Sequence, residues 1–391
     1  MSDAPPLRIA FIGGALNSAV GYAHVAATRM DGRYLLASGC FSRDAAANAA
    51  AAKAYGVSPR RTYSDWRTLL ECEAGALDAM VVLTPTPAHA EMVSACLIAG
   101  VPVVCEKALA CNSDEAAALL EIRNRTNGYL AVTYNYSGYP IVRELRRLVR
   151  AGALGRIVQI HAEMPQEGFV RRNGAAPAAT PQSWRLADGR APTLALDLAV
   201  HLHQLIYYTT GLKPLETAAM HDTFGCFPSV VDNASALVRY EEGVAASLWF
   251  TKSALGHRNG LRLRIYGEHG AAEWFQGAPE ELVVAHADGR REIRDRAAEA
   301  PIAAEARYTR FKAGHPAGYV EAFANLYIDI ADELAARKAK APRASGEVFG
   351  AELALEGLHF IEAMTDAAAA RTWRRVPGQQ HQKELAMERA A

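Results

Sequence analysis

The sequence contains no CxxC pair, no long apolar run and no excess of charge of either sign. Its six cysteines are scattered singly, which excludes a disulfide framework and a zinc ribbon. The 42 Lys and Arg residues balance 42 Asp and Glu residues, so no net field attracts nucleic acid or an anionic membrane. No run approaches the roughly 18 apolar residues of a membrane span, and no signal-like start is present. We therefore expect a cytoplasmic protein that binds neither nucleic acid nor membrane.

The chain has 391 residues, half of them hydrophobic, which predicts two domains with a core each. From Leu7 to about Tyr134, short apolar runs alternate with helical patterns, as in βαβ units. The runs AMVVL and VPVVC lack polar alternation, which is typical of parallel strands buried on both faces. Later strand-like stretches are joined by EEG, GEHG and ADG turns, which predict antiparallel hairpins.

These patterns predict an α/β doubly wound domain over residues 1–137 and an α+β domain over residues 138–377. Residues 378–391 are expected to form a poorly ordered tail. Helical patterns from about Tyr319 to Lys338 and from Phe349 to Ala370 come too late for the first sheet, unless the chain returns to it.

A glycine turn directly follows the first predicted strand and precedes a helix. Gly13 and Gly14 allow a tight turn, and Asn17 and Ser18 can add hydrogen bonds to a phosphate. The following helix would offer free N–H groups and the positive end of its dipole to a pyrophosphate. The position favours a dinucleotide. The alternative is a plain βα turn whose glycines serve only close packing.

The end of the second predicted strand bears on the choice between NAD and NADP. NAD enzymes usually place an acidic residue there to bind the adenine ribose, whereas this chain has Ser42 and Arg43. A hydroxyl and a guanidinium suit a 2′-phosphate, so we lean towards NADP. Asp44 lies close enough to bind a free ribose, and Arg43-Asp44 could also be a solvated helix start.

Three side chains could carry acid–base chemistry. Lys107 follows the strand VPVVC at the carboxyl edge of the parallel sheet, where ligands of such folds bind. Asp197 and His201 are four apart, on one face if the segment is helical. His201 is the candidate base for an alcohol proton, Lys107 could hold the developing alkoxide, and Asp197 could orient the substrate. His201 and His203 could instead suggest a metal site, but further ligands are missing, so no metal is expected.

These residues resemble the Gfo/Idh/MocA oxidoreductases, a family that includes inositol dehydrogenases and glucose–fructose oxidoreductase. The resemblance runs from roughly Leu7 to Pro377 and depends on the glycine turn, on Glu106-Lys107-Ala108 in place of Glu-Lys-Pro, and on Asp197 and His201 in Asp-x-x-x-His. Two departures are Ala108, where relatives have a proline that often gives an unusual peptide geometry, and Ala199, where many have glycine.

The resemblance implies a Rossmann domain, a second domain with a large, mostly antiparallel sheet, and a nicotinamide cofactor, NAD or NADP. It also implies further contacts to cofactor and substrate. The implied cofactor residues are Gly13, Gly14, Asn17, Ser18, Ser42, Arg43, Thr84, Pro85, His89, Glu106 and Lys107. The implied substrate residues are Tyr136, Trp184, Arg185, Asp197, His201 and His315. The alternative for Tyr136 and Trp184 is core or interface packing, and the alternative for His315 is a capping or loop contact.

The expected function is hydride transfer between nicotinamide and a secondary alcohol or ketone of a sugar, sugar derivative or cyclitol. The resemblance also implies a homodimer or homotetramer. One alternative is a redox-neutral enzyme that uses bound NAD transiently to cleave or epimerise a sugar. The other is a dinucleotide-binding protein without turnover, against which the joint presence of Lys107, Asp197 and His201 argues.

Overall fold

A computed structural model describes residues 5–342 and 345–378 of the chain. The chain divides into two compact units. The first runs to Gly138 and also contains Gly318–Ala354, and the second comprises Tyr139–Ala317 and the chain from Leu355. Apart from Gly378, the predicted tail lies outside the described residues.

The first unit is built from five strands and six helices. Its strands are β1 (Leu7–Gly13), β2 (Tyr34–Cys40), β3 (Ala79–Leu83), β4 (Val103–Cys105) and β5 (Leu130–Val132). Its helices are α1 (Gly21–Met30), α2 (Ala45–Ala54), α3 (Trp66–Glu73), α4 (His89–Ile98), α5 (Ser113–Arg125) and, numbered in chain order, α9 (Tyr319–Lys338).

The five strands form one parallel sheet in the order β2-β1-β3-β4-β5, which confirms the predicted doubly wound fold. Every residue of β3 is buried, as its unbroken apolar run predicts. The strand order reverses between β1 and β3, where Gly13 pairs with Leu83. Ligands of open α/β sheets bind beside the carboxyl ends of the strands at such a point.

Helix α9 belongs to the core of the first unit, although it lies late in the sequence. Phe323, Leu326, Tyr327 and Ile330 are buried together with residues of β1, α1 and β3. Helix α9 contacts α1 directly. The late helical pattern predicted from Tyr319 is therefore part of the structure that surrounds the first sheet.

The second unit contains a nine-stranded sheet. Its helices are α6 (Pro140–Arg150), α7 (Thr193–Asp197), α8 (Ala199–Thr210) and most of α10 (Ala351–Ala370). Its strands are β6 (Ile157–Pro165), β7 (Arg172–Asn173), β8 (Ala176–Pro177), β9 (Pro214–Asp222), β10 (Asn233–Tyr240), β11 (Ala245–Thr251), β12 (Arg262–Gly267), β13 (Gly270–Phe275), β14 (Leu282–His286), β15 (Arg291–Arg294) and β16 (Arg374–Arg375).

The sheet order is β15-β14-β13-β12-β6-β11-β10-β9-β16, with β7 and β8 forming a separate ribbon. The predicted hairpins β10–β11, β12–β13 and β14–β15 are antiparallel, while β11 pairs with β6 in parallel. Helices α6 and α8 pack against β13 and β6. Burial alternates along β10, as expected for a sheet covered on one face. In the described part of the chain, no helix is long and apolar enough to cross a membrane.

Candidate active site

The glycine turn holds β1 and α1 in close contact. Gly13 and Gly14 have φ values of +85° and +78°, a region that favours glycine. A Cβ atom on Gly21 would lie 2.2 Å from the carbonyl oxygen of Gly14. The Ser18 hydroxyl accepts a hydrogen bond of 3.2 Å from the Gly21 amide, and Asn17 is exposed. The turn therefore depends on backbone contacts that a side chain at Gly21 would break.

In the segment between β2 and α2, two side chains accept hydrogen bonds from nearby backbone amides. The Ser42 hydroxyl accepts from the Asp44 amide at 3.1 Å, and the Asp44 carboxylate accepts from the Ala47 amide at 2.7 Å. Asp44 is thus the N-cap of α2. Arg43 is exposed and makes no contact in this cap. The carboxylate next to the predicted ribose site therefore serves the helix, and the guanidinium remains at the surface.

His89, at the start of α4, connects the loops that follow β3 and β4. Its ring is fully buried, with Nε2 2.7 Å from the Thr84 carbonyl oxygen and Nδ1 2.8 Å from the Ala108 carbonyl oxygen. Burial lowers the pKa of His89, while the two carbonyls and the charge of Glu106 oppose that shift. Pro85, between these groups, is exposed. Both ring nitrogens of His89 therefore face backbone carbonyl oxygens, and the neutral ring donates a hydrogen bond to one of them.

Glu106 and Lys107 follow β4 directly. The buried Glu106 carboxylate accepts hydrogen bonds from His24 at 2.9 Å and from Thr133. Burial alone would raise the pKa of Glu106, but His24, the Lys107 ammonium and Thr133 lower it overall. Lys107 is half-buried, and the Lys107–Ala108 peptide is cis although Ala108 is not proline. The first unit thus places an ionised carboxylate directly before Lys107 in the chain, within range of its charge.

Asp197 is the last residue of α7 and lies between two cations of the second unit. Its Oδ2 is 2.6 Å from the Lys252 Nζ and 2.9 Å from an Arg185 terminal nitrogen. Only 8% of the Lys252 side chain is exposed, so water screens this pair weakly. Phe169 lies under Lys252 at 5.0 Å, and Trp184 lies under Arg185 at 4.5 Å. These contacts fix the carboxylate and favour its charged form.

The segment from Asp197 to His201 is not one continuous helix. Helix α7 ends at Asp197 and α8 begins at Ala199, with Leu198 at φ −113° and ψ −48° between them. The His201 amide bonds to the Leu198 carbonyl, a tighter turn than an α-helix makes. The four-residue spacing therefore crosses a break. His201 is buried in the first turn of α8.

His203, two residues further along α8, is buried next to Glu356 of α10. It is 2% exposed, and its Nε2 lies 3.6 Å from Glu356. Burial and the charge of Lys213 lower the pKa of His203 to about 3, so the ring is neutral at pH 7. Within the described ranges, no three His, Cys, Asp or Glu side chains are arranged to hold a metal ion.

The remaining predicted residues lie in different settings. Tyr136 is buried in a short 3₁₀ turn, Asn135–Gly138. Trp184 is half-buried and donates from Nε1 to Gln182 at 2.8 Å. His315 is exposed, and its carbonyl accepts from Arg296 at 2.9 Å. The structure therefore groups Arg185 with Asp197 and leaves the ring of His315 at the surface.

Two residues of these clusters carry no signal in the sequence. Lys252 follows β11 in SLWFTKS, where a lysine after a strand has no motif to distinguish it. His24 lies inside α1 on an otherwise apolar face, which is typical of a core histidine. The contact of Lys252 with Asp197 and that of His24 with Glu106 both join residues that are far apart in the sequence. Only the tertiary structure identifies them.

Comparisons with known proteins agree with this architecture. Residues 7–134 match the model of the oxidoreductase family with an NAD-binding Rossmann fold, and residues 142–273 match the GFO/IDH/MocA C-terminal domain. The oxidoreductase YfiI of Bacillus subtilis is 29% identical over 91% of this chain and 93% of its own length. Inositol 2-dehydrogenase of Rhizobium meliloti is 24% identical, over 62% of this chain and 69% of its own.

Solved structures with a similar fold include dehydrogenases. An inositol dehydrogenase homologue from Azotobacter vinelandii, crystallised with NADH and myo-inositol, has a TM-score of 0.86 and 27% identity over 95% of this chain and 98% of its own. Levoglucosan dehydrogenase in complex with NADH and L-sorbose shares the fold, with a TM-score of 0.80 and 22% identity over 95% of this chain and 99% of its own. The chain therefore belongs to the Gfo/Idh/MocA family of oxidoreductases, whose N-terminal domain is an NAD-binding Rossmann fold.

Proposed function

We propose that this protein is an NAD(P)-dependent dehydrogenase or reductase acting on a CH–OH group of a sugar, sugar derivative or cyclitol. The observation that carries the proposal is the position of Lys107 at the carboxyl end of β4, next to the strand-order reversal at β1 and β3. An ammonium at that edge can hold a substrate oxygen. The inositol dehydrogenases among the relatives and solved structures support the substrate class.

The residues at the sheet edge fit a dinucleotide. Gly13 and Gly14 have no side chains to cover the backbone of the turn, which leads into α1. Leu16 and Asn17 in the same turn are exposed. Backbone amides in such a turn bind phosphate oxygens, and the N-terminus of α1 favours their negative charge. Ser18, Thr84 and Pro85 are the further contacts that we assign to the cofactor. When bound, the cofactor accepts or returns the hydride.

His201 and Lys107 share the proton chemistry in this proposal. His201 takes the hydroxyl proton as the carbon loses hydride, and returns a proton in the reverse direction. The Lys107 ammonium donates a hydrogen bond to the same oxygen and stabilises its developing negative charge. Glu106, beside Lys107, balances the charge of the ammonium. The reaction thus needs no metal ion.

Asp197 orients the substrate in this proposal by accepting hydrogen bonds from its hydroxyl groups. Lys252 and Arg185 both bind Oδ2, so the carboxylate stays ionised and keeps one orientation. A hydrogen bond to an ionised acceptor is stronger than one to a neutral acceptor. Trp184, which stacks on Arg185, and Tyr136 are secondary candidates for contact with the sugar face. His315 is a further candidate on the substrate side.

We propose NADP rather than NAD as the preferred cofactor. Arg43 is exposed after β2, whereas the nearby Asp44 carboxylate caps α2. A guanidinium binds a phosphate with two hydrogen bonds, which a ribose hydroxyl cannot match. Structural relatives bind NAD or NADH, so a direct comparison of both cofactors is required.

We also propose that the protein forms a homodimer or homotetramer through the open face of its nine-stranded sheet. Met220 on β9 and Leu237 on β10 are 64% and 57% exposed on neighbouring strands. Apolar side chains on an uncovered sheet face are typical of an interface. Light scattering of the wild type and of Leu237→Lys tests this: a monomeric wild type would contradict it.

The proposed activity is tested by following the reduced-nicotinamide absorbance band. The purified protein is mixed with NAD or NADP and with a panel of inositols, aldoses, amino sugars and sugar acids. Growth of the band that is lost in Lys107→Met is the expected result. Conversion of a sugar without net reduced cofactor would instead establish redox-neutral chemistry. Cofactor binding with no conversion of any kind would favour a protein without turnover.

A further inference from the structure

A buried line of hydrogen bonds runs behind Glu106 in the first unit. Tyr327 on α9 lies with its hydroxyl 2.7 Å from Nδ1 of His24, and Nε2 of His24 lies 2.9 Å from Oε1 of Glu106. Thr133, after β5, donates to the same Oε1. His24 is completely buried. The line therefore joins α9, α1 and the ends of β4 and β5.

The ionised Glu106 carboxylate fixes the direction of its bond to His24. Glu106 is ionised because its pKa is lowered, so its oxygen only accepts and Nε2 of His24 must carry the proton. Burial raises the pKa of Tyr327 well above its usual value, so the phenol keeps its proton within hydrogen-bond distance of Nδ1. Each polar group has a partner of the right kind. The arrangement is a continuous buried chain that ends on one carboxylate oxygen.

The ring of His24 has little freedom to turn. Phe323 lies 4.7 Å from it, centroid to centroid, and Tyr327 meets it edge-on at 5.7 Å. A second bond fixes Tyr327, since Tyr34 donates to its backbone carbonyl at 2.6 Å. A rotation of the His24 ring would leave a buried carboxylate with one donor fewer, which is strongly unfavourable. The Glu106 carboxylate is therefore held in a single position.

We propose that His24, supported by Tyr327, is a positioning residue for Lys107: it fixes the Glu106 carboxylate, and the fixed carboxylate holds the Lys107 backbone and ammonium in their working place. The inference rests on the proposed function for its catalytic consequence. Its structural consequence, the ordering of the segment around Lys107, does not depend on any substrate. His24 itself touches neither cofactor nor substrate in this scheme.

Two substitutions of His24 separate positioning from packing. His24→Leu introduces an apolar side chain of similar size and removes the donor to Glu106. His24→Gln keeps an N–H donor near the place of Nε2. We expect kcat to fall roughly tenfold to a hundredfold in His24→Leu, with the dissociation constant of the cofactor nearly unchanged, and to recover several-fold in His24→Gln. Tyr327→Phe, which removes only the outer hydroxyl, should cause a smaller fall in kcat.

Thr28→Val is the matched control on the same helix. Its hydroxyl is buried but bonds only to the carbonyls of His24 and Val25 within α1. This variant should keep the kcat of the wild type. A fall in kcat as large in Thr28→Val as in His24→Leu, or equal kcat in His24→Leu and His24→Gln, would show that α1 packing alone is responsible and would overturn the proposal.

Hydrogen exchange measured by mass spectrometry tests the same idea without turnover. In the cofactor-free protein, amides of residues 103–112 should exchange faster in His24→Leu than in the wild type, while β10 in the second unit should be unchanged. Unaltered exchange at 103–112 would refute the positioning role, whatever the kinetics. If the wild type shows no activity on the panel, the proposed function fails separately and the exchange experiment still decides this inference.

Discussion

Gly21 in the first unit and Asp197 in the second are each held by close contacts, but the contacts are of different kinds. Gly21 approaches the carbonyl of Gly14, and both partners are backbone. Asp197 is held by the side chains of Lys252 and Arg185. A site made from backbone tolerates most changes of side chain but no added bulk. A site made from charged side chains tolerates bulk at its edges but not the loss of one partner.

The largest expected effect is on His201, the proposed base of the second unit. His201→Ala should lower turnover by roughly a hundredfold or more, because the base is lost, while cofactor affinity stays nearly the same. Steady-state kinetics and cofactor titration by fluorescence measure the two quantities. Undiminished turnover would reject His201 as the base.

One added methyl group at Gly21 should disrupt the backbone contact between Gly21 and Gly14. In Gly21→Ala the new Cβ would clash with the Gly14 carbonyl, so we expect a loss of about 1–3 kcal/mol in stability and weaker binding of NAD and NADP alike. Denaturant unfolding and cofactor titration provide the measurements. Gly152→Ala is the control for added bulk, since nothing lies within 4 Å of its Cβ position; its positive φ adds a small conformational cost. Equal loss of cofactor affinity in both variants would contradict this view of the turn.

Replacing Lys252 removes one of the charged partners of Asp197. Lys252→Met should lower kcat/KM roughly tenfold to a hundredfold, because Asp197 then loses the nearer of its two cations. Lys213→Met is the control: that lysine is 3.1 Å from Glu356, in another partly buried ion pair of the same unit. If both variants lose kcat/KM equally, the effect is general destabilisation of the second unit.

The buried His203 gives the second unit a pH dependence. Its pKa is about 3 in the folded protein and near 6.5 when unfolded, so below pH 6.5 the unfolded chain binds one more proton. Stability from this residue is complete above pH 6.5 and is lost as the pH falls towards 3, by about 1.4 kcal/mol per unit. His203→Met should show a shallower decline in urea unfolding between pH 6.5 and 4.5. The exposed His257, replaced by Gln, should leave the decline unchanged.

The smallest effect is expected at the surface of the first unit. Arg43→Ala should raise KM for NADP several-fold, as expected for one exposed ion pair, and leave KM for NAD unchanged. Kinetics with the two cofactors in parallel provide the measurement. An equal loss with both cofactors would reject the assignment of Arg43 to the 2′-phosphate.

The fold was predictable to the extent that it depends on local patterns. The buried run of β3 and the three hairpin turns of the second sheet carry their structure in a few neighbouring residues. The break at Leu198 has no such signal, because no glycine or proline marks it. The bond between His24 and Tyr327 joins residues 303 positions apart. Contacts of that kind depend on how the elements pack, which a single sequence does not specify.

The return of α9 to the first sheet has a consequence for how the protein is made. Phe323, Leu326, Tyr327 and Ile330 complete a core whose members outside α9, apart from Val348, lie between Ile9 and Ala131. During synthesis, part of the apolar surface of the first unit stays exposed until α9 has left the ribosome. A fragment that ends at Gly138 should therefore aggregate on expression, and supplying α9 as a separate peptide should improve its yield of folded protein.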